Sequence, residues 1–199
     1  MGRYLGTLQL LYYAYGSGSI ADGTQQYLLN QAIDNAETAI DDYTRRNFVG
    51  TAGTSSYSRF DQWRVREGGA FYVHADLHTL LGVQLGNSQD IPLGSIWLEP
   101  RNAGPPYRIV RLKSAYVYQW NTDQDMLVWG TWGFSTAAPA DIVQATLRAA
   151  KYFYTLKDQS GFSEVTGFDQ AGVQPVPSGL PSDVRYMLSP YRSRTGGAV

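Results

Sequence analysis

The chain has 199 residues, of which 43% are hydrophobic and 17% are charged, and its formal net charge is -1. This length is enough for one domain with a buried core. A protein that binds the phosphates of nucleic acid tightly needs clustered Lys and Arg residues. The near-zero net charge therefore argues against tight DNA binding. The absence of cysteine excludes disulfides, thiolate metal ligands and a thiol nucleophile. No stretch reaches the ~20 apolar residues of a membrane span, so we expect no membrane partner.

The amino-terminal part of the chain carries two helical patterns. The apolar run 4–15 predicts a short helix that ends at the glycine-rich stretch 16–19. From Thr24 onwards, apolar residues recur at spacings of three and four, which predicts a longer amphipathic helix. The residues on its apolar face are Leu29, Ala32, Ile33, Ala36, Ile40 and Tyr43.

The opposite face of this second helix is acidic. It carries Asp34, Glu37, Asp41 and Asp42. We expect this acidic stripe to face solvent or a contact between subunits. Asp41 is spaced to pair with Arg45, and Asp42 with Arg46, at i,i+4 positions that stabilise a helix by a few tenths of a kcal/mol each.

Between residues 49 and 134 the helical period gives way to short β-prone runs separated by turn residues. The pattern predicts an antiparallel β module inserted between helices. Its predicted strands cover residues 57–65, 70–74, 81–85, 95–99, 108–112, 115–120 and 126–132. Residues 121–125 are predicted to form a hairpin loop between the last two strands.

Helical character returns after Pro139, which suits a first helical turn because it has no N–H to leave unpaired. Residues 158–179 are rich in Gly, Ser, Gln and Pro, which predicts an arm with little order of its own. A short terminal helix follows, with Ser182 as its predicted cap. The fold class is therefore α+β. A helical core, residues 1–157, contains two main amphipathic helices, short terminal helices and the inserted β module, and an extended C-terminal arm covers residues 158–199.

The segment from His74 to His78 is the one candidate for metal binding or catalysis. On a strand the two histidines would stand roughly 13 Å apart at ~3.3 Å per residue, and no third strong ligand lies nearby in sequence. Serine-nucleophile, phosphate-loop and dinucleotide motifs are absent. We therefore expect packing or surface histidines, no metal, no cofactor and no enzymatic activity.

Several short motifs follow one another in an informative order. The second helix ends in Arg-Arg-Asn-Phe, Trp-Leu-Glu-Pro follows in the β segment, and Trp-Gly-Thr-Trp-Gly-Phe precedes a Pro-Ala-Asp-Ile helix start. From about residue 24 to 194, this order resembles the head-to-tail connector (adaptor) proteins of tailed bacteriophages, the gp6-like family. The motif positions, several of them expected in the core, are Phe48, Glu99, Pro100, Gly130, Trp132, Gly133, Pro139 and Ile142.

The resemblance implies a structural virion protein of the neck, made in the host cytoplasm. Family members form a ring, usually dodecameric, between the portal and the stopper or tail-completion protein. The genome passes through the channel of that ring without specific binding. The resemblance also implies that the C-terminal arm docks the portal. The candidate docking residues are Val184, Arg185, Leu188, Tyr191, Arg192 and Arg194.

Two alternatives remain open at this point. A stopper or tail-terminator ring of the same neck would be dominated by a β-barrel, with less helix at both ends. A carbohydrate-binding β module would explain the many aromatic residues but not the long flanking helices. One departure from the family pattern is Arg45, where many members have Gly, so the second helix need not end there.

Overall fold

The computed structural model of the chain describes residues 2–16, 23–57, 65–66, 69–117, 125–159 and 179–193. The elements, in chain order, are α1 (Thr7–Tyr15), α2 (Gly23–Thr44), β1 (Thr51–Tyr57), β2 (Val65–Arg66), β3 (Ala70–Gln84), β4 (Asp90–Ile91), β5 (Ile96–Glu99), β6 (Tyr107–Leu112), α3 (Ser114–Val117), β7 (Met126–Trp132), α4 (Ala140–Gln159) and α5 (Ser182–Leu188). Short 3-10 turns cover Leu93–Ser95 and Ser189–Tyr191. The predicted α+β class is confirmed.

The chain divides into two compact units. The helical unit comprises Met1–Arg45 and Ala138–Val199, and the sheet unit comprises Arg46–Ala137. In the helical unit, α2 packs against α1, α4 and α5. The predicted apolar face of α2 is buried from Leu29 to Ile40, and α4 contributes Ile142, Ala145 and Ala149 to the same core. Periodicity located this core correctly because every third or fourth residue of a helix faces the same side.

The short helix α1 ends at Gly16, which forms its C-terminal cap. Gly16 adopts a left-handed conformation with φ 68°, and its N–H donates to the Tyr12 carbonyl at 2.8 Å. This is the αL cap that glycine favours because it has no Cβ to clash. The predicted break after residue 15 is confirmed.

Helix α2 ends at Thr44 although no glycine follows it. Arg45 itself takes the left-handed conformation, with φ 57°, and its N–H donates to the Asp41 carbonyl at 2.7 Å. The expectation that the helix need not stop here is therefore wrong. Both predicted i,i+4 ion pairs are wrong as well, because the chain leaves the helix before Arg46 and Asp41 pairs with Arg3 instead, at 2.8 Å.

The sheet unit is built on one antiparallel sheet with the strand order β1-β7-β3-β6-β5, and β2 and β4 also pair with β3. Two runs that were predicted as separate strands, 70–74 and 81–85, belong to the single 15-residue strand β3. Its register shifts against β6 and β7. Such irregularities let a strand continue through a polar stretch that breaks the alternation used to recognise it.

Two strand predictions differ from the structure. Ser114–Val117 is a helical turn, so the strand predicted at 115–120 is wrong where it is described, and the predicted hairpin loop lies almost entirely outside the described residues. Strand β1 was missed except for Tyr57, because it contains Gly and Ala, which are depleted in strands, and lacks apolar alternation. The rest of the strand predicted at 57–65 lies outside the described residues apart from Val65. The core of the sheet unit is formed by Phe71, Val73, Leu77, Val83, Leu85, Val110, Leu112, Met126 and Val128.

Within the described ranges, none of the helices combines the length and the apolar character that crossing a membrane requires.

Candidate functional site

Close backbone approaches require glycine at Gly130 in β7 and at Gly133, which follows the end of β7. A Cβ at Gly130 would overlap the Thr79 carbonyl oxygen and approach Leu77 Cδ1 to 2.9 Å. A Cβ at Gly133 would lie 2.6 Å from Gly50 Cα. Because the opposing atoms are mostly backbone, the neighbours cannot move aside without shifting strands. These two glycines therefore serve the architecture of the sheet unit.

The start and the end of the sheet unit are held together by aromatic side chains. Phe48 is fully buried and packs against Phe134, with ring centroids 5.6 Å apart. The Phe134 N–H donates to the Asn47 carbonyl at 2.8 Å, and the Arg46 guanidinium lies 5.2 Å from the centroid of the Phe134 ring. The motif around Phe48 and the motif that ends in Phe134 thus form one structural cluster.

A buried carboxylate connects this cluster to the sheet. Asp76 is 4% exposed and pairs with Arg46 Nη1 through Oδ2 at 3.0 Å. Its Oδ1 faces Arg108 Nε at 2.5 Å as an ion pair without hydrogen-bond alignment. Burial, together with the neighbouring Arg108, lowers the pKa of Arg46, and Asp76 opposes that shift. The Asp76 carboxylate thus lies between the guanidinium groups of Arg46 and Arg108, and its negative charge reduces the repulsion between them.

The two histidines make local side-chain contacts in the sheet unit. His74 Nδ1 lies 2.8 Å from the Tyr57 hydroxyl, and its ring stacks on Trp132 at 5.6 Å. His78 Nδ1 lies 2.9 Å from Thr79 Oγ1. Among the described residues, no group of three potential ligands is arranged to hold a metal ion.

The remaining sheet motifs lie near its edges. Trp132 is half-buried against the core, and its Nε1–H donates to the Gly53 carbonyl at 2.9 Å. Glu99 ends β5 and accepts a bond from Arg111 Nε on β6 at 2.8 Å. Pro100 follows it and is exposed. Trp132 and Glu99 thus form cross-strand contacts.

In the helical unit, Pro139 lies just before α4 and not within its first turn. Its carbonyl accepts the Val143 N–H at 3.0 Å, so Pro139 is at the cap position. Ile142 is fully buried in the helical core, as its motif position predicts.

The first residues of the chain are anchored by a buried acid. Glu37 is 2% exposed and accepts the N–H groups of Arg3 and Tyr4 at 2.9 and 2.7 Å. Asp41 accepts the Tyr4 hydroxyl at 2.5 Å, and burial raises the pKa of Asp41. The prediction that the acidic stripe faces solvent or another subunit is therefore wrong for Glu37 and Asp41. The amino-terminal segment covers them, and helical periodicity alone carries no information about such a distant segment.

The C-terminal segment is also part of the helical unit. Val184 and Leu188 are fully buried, and the Ser193 N–H donates to the Thr44 carbonyl at 2.7 Å. Helix α5 exists as predicted, although it starts at Ser182 and its cap position is Pro181. The Tyr191 hydroxyl donates to Asp141 at 3.0 Å. Desolvation and, to a smaller extent, this hydrogen bond raise the pKa of Tyr191. Val184 and Leu188 thus offer no free surface to a partner in this structure.

The exposed side chains of this segment form a different set. Tyr186 is 82% exposed, and Arg185 and Arg192 also face solvent. The Arg192 guanidinium lies 5.3 Å from the Tyr43 ring centroid, and the Tyr43 hydroxyl donates to the Arg185 carbonyl at 3.4 Å. We call Tyr43, Arg185, Tyr186 and Arg192 the arginine–tyrosine patch. Both arginines are among the predicted docking residues and Tyr186 is not, while Arg194 lies outside the described residues.

A second exposed set lies near the amino terminus. Leu8 and Tyr12 on α1, together with Tyr27 on α2, are each more than half exposed. Aromatic and arginine side chains are both enriched at protein interfaces. The rigid aromatic rings supply a large contact area at little entropic cost. The described surface therefore suits docking better than catalysis.

No family model and no curated protein matches the chain. Among solved structures, it is similar to a chain in the neck of an empty gene transfer agent (GTA) particle computed with C6 symmetry, with 19% identity, a TM-score of 0.62 and coverage of 98% of this chain and 92% of that chain. A chain in the virion of a native GTA particle has 17% identity and a TM-score of 0.61 over 98% and 92% of the two chains. A chain in the neck of a native GTA particle computed with C12 symmetry has 16% identity and a TM-score of 0.57 over 96% and 90%. At these identities the likeness shows a shared fold.

Proposed function

We propose that the chain is a structural subunit of the neck of a tailed phage or phage-like particle, where its copies form a ring around the path of the genome. The observation that carries this proposal is the structural likeness to chains of GTA necks, which extends over nearly the whole chain. The symmetry of those necks, C6 and C12, supports a ring with a multiple of six subunits. Its location would be the neck of the virion, after synthesis in the host cytoplasm.

Within the neck, we assign the chain to the connector (adaptor) ring between the portal and the stopper or tail-completion protein. The order of motifs from Phe48 to Ile142 supports this assignment. The helical unit supports it further, since α2 has 22 residues and α4 has 20. A stopper or tail-terminator ring is expected to be dominated by a β-barrel, so these long helices favour the connector.

The chemistry of the chain suits a passive channel. A formal net charge of -1 gives a subunit little attraction for phosphates, so duplex DNA could pass through a ring of such subunits without being held. The motif residues support the architecture of the two units and need no catalytic step. The portal, the ring below and further copies of the chain are the partners that this function requires.

Electron microscopy of the purified chain, alone and mixed with the portal protein of the same particle, tests the proposal. The expected result is a ring stacked on the portal, with a hole wide enough for duplex DNA. A portal protein from an unrelated particle is the control. Binding to the tail tube without binding to the portal would instead identify a tail-terminator ring, and binding to neither would contradict a role in the neck.

A further inference from the structure

We propose that neighbouring subunits contact each other through the arginine–tyrosine patch of one copy and the outward acidic face of α2 of the next. That acidic face consists of Asp34, Thr38 and Asp42. The inference rests on the proposed ring and adds the surface through which its subunits recognise each other.

The first surface carries two exposed arginines, Arg185 and Arg192. Among the described residues, neither Arg185 nor Arg192 pairs with a carboxylate. Between them Tyr186 is the most exposed large hydrophobic residue of the described chain. An exposed tyrosine between two arginines that have no described carboxylate partner is typical of an interface hot spot whose partner supplies carboxylates.

The second surface offers those carboxylates. Asp34 and Asp42 are exposed, and no described cation pairs with either of them. Thr38 lies between them, so the three residues form one line along the helix. Eight residues of α-helix separate the two carboxylates by about 12 Å along the axis. Two arginines on α5 and its following turn can therefore meet two separate carboxylates.

The two surfaces lie on different sides of α2, as a ring contact requires. Counted at about 100° per residue, Asp42 lies about 100° and Asp34 about 180° around the helix from Tyr43, which belongs to the arginine–tyrosine patch. A ring is closed by heterologous contacts, in which each subunit presents two different surfaces. A contact between two identical patches would instead place arginine against arginine, which electrostatics opposes. Charge complementarity thus selects a second copy of the chain, arranged head to tail.

Complementary charge reversals test this contact. One variant carries Arg185→Glu and Arg192→Glu, and the other carries Asp34→Arg and Asp42→Arg. All four side chains are exposed, so both variants should fold with the circular dichroism and melting point of the wild type. Each variant alone should self-associate roughly 100-fold more weakly than the wild type in sedimentation velocity, because like charges then face each other. An equal mixture should recover association, since each variant then meets its complement on both sides.

Cysteine cross-linking gives an independent measurement that also works for weak association. The chain contains no cysteine, so Thr38→Cys and Ser189→Cys each create a unique thiol on an exposed residue. A short bis-maleimide should join the first variant to the second in an equal mixture, with and without the portal. Leu93→Cys, on an exposed residue of the sheet unit, replaces Ser189→Cys in the control mixture.

The outcomes separate the contact from the proposed function. Cross-links only between identical variants, no cross-link above the control, or charge reversals without effect on association would overturn the contact. If the chain forms rings on the portal but shows none of these effects, the proposed neck function is supported and the proposed interface is contradicted. If the chain shows the cross-link and the charge dependence but binds no neck component, the proposed interface is supported and the proposed neck function is contradicted.

Discussion

The carboxylate of Glu37 lies beneath the first residues of the chain, where it accepts the Tyr4 N–H at 2.7 Å. A buried N–H that loses its acceptor costs about 1–3 kcal/mol. Because Glu37 also accepts the Arg3 N–H, Glu37→Ala should lower the free energy of unfolding by about 2–3 kcal/mol in urea titrations. Glu37→Gln keeps one acceptor and should lose less. Asp34→Ala on the same helix is the exposed control, and an equal effect of both alanine variants would contradict the anchoring role.

Asp76 neutralises two arginines in the interior of the sheet unit. Asp76→Asn removes the negative charge and leaves Arg46 and Arg108 facing each other. Breaking a buried pair in this way costs about 3–5 kcal/mol, which a shift of the urea midpoint would report. The exposed pair of Arg148 and Asp183 provides the comparison, and Asp183→Asn should change stability by about 1 kcal/mol or less. If the two substitutions cost the same, the Asp76 cluster contributes no more than a surface ion pair.

Arg45 ends α2 in a conformation that suits glycine. A residue with a Cβ in the left-handed conformation is disfavoured by roughly 1–2 kcal/mol. Replacing it by glycine removes this strain, but glycine is more flexible in the unfolded chain, and this offsets part of the gain in stability. Arg45→Gly should therefore raise the free energy of unfolding by about 0.5–1 kcal/mol. Arg45→Ala keeps the Cβ and should show no gain. A loss of stability in the glycine variant would mean that the arginine side chain stabilises the helix end.

Gly130 has no room for a side chain. Gly130→Ala would push a methyl group into the Thr79 carbonyl and should destabilise the protein by about 1–3 kcal/mol, because strands β3 and β7 must separate. Gly94 has open space around its Cα, so Gly94→Ala is the matched control and should leave the melting point nearly unchanged. A tolerated Gly130→Ala would show that the two strands can shift apart at little cost.

Two residues of α5 should separate stability from assembly. Leu188 is fully buried, so Leu188→Ala should cost about 2–5 kcal/mol in urea unfolding. Tyr186 is exposed, so Tyr186→Ala should change stability by less than about 0.5 kcal/mol and yet weaken self-association in sedimentation velocity. Deleting residues 180–199 should act as the first variant does, by uncovering the helical core. An unchanged association of Tyr186→Ala would exclude it from the interface.

Local patterns in the sequence predicted the α+β class, the apolar face of α2, the position of α4, and the strands β5, β6 and β7. In each of these, a repeat of two or of three to four residues places apolar side chains on one side of the element. The sequence also singled out Gly130 and Gly133 as motif positions, where the structure shows close backbone approaches. Such signals are local, so a short window of residues contains them.

Which charges are buried and which side chains remain exposed follows only from the folded chain. Glu37 is covered by residues far away in the chain, Arg46 turns from α2 to Asp76, and α5 buries Val184 and Leu188 while Tyr186 stays in solvent. Each of these results depends on contacts between distant segments. Helical periodicity tells which residues share a face, but the segment that packs on that face follows from the fold of the whole chain.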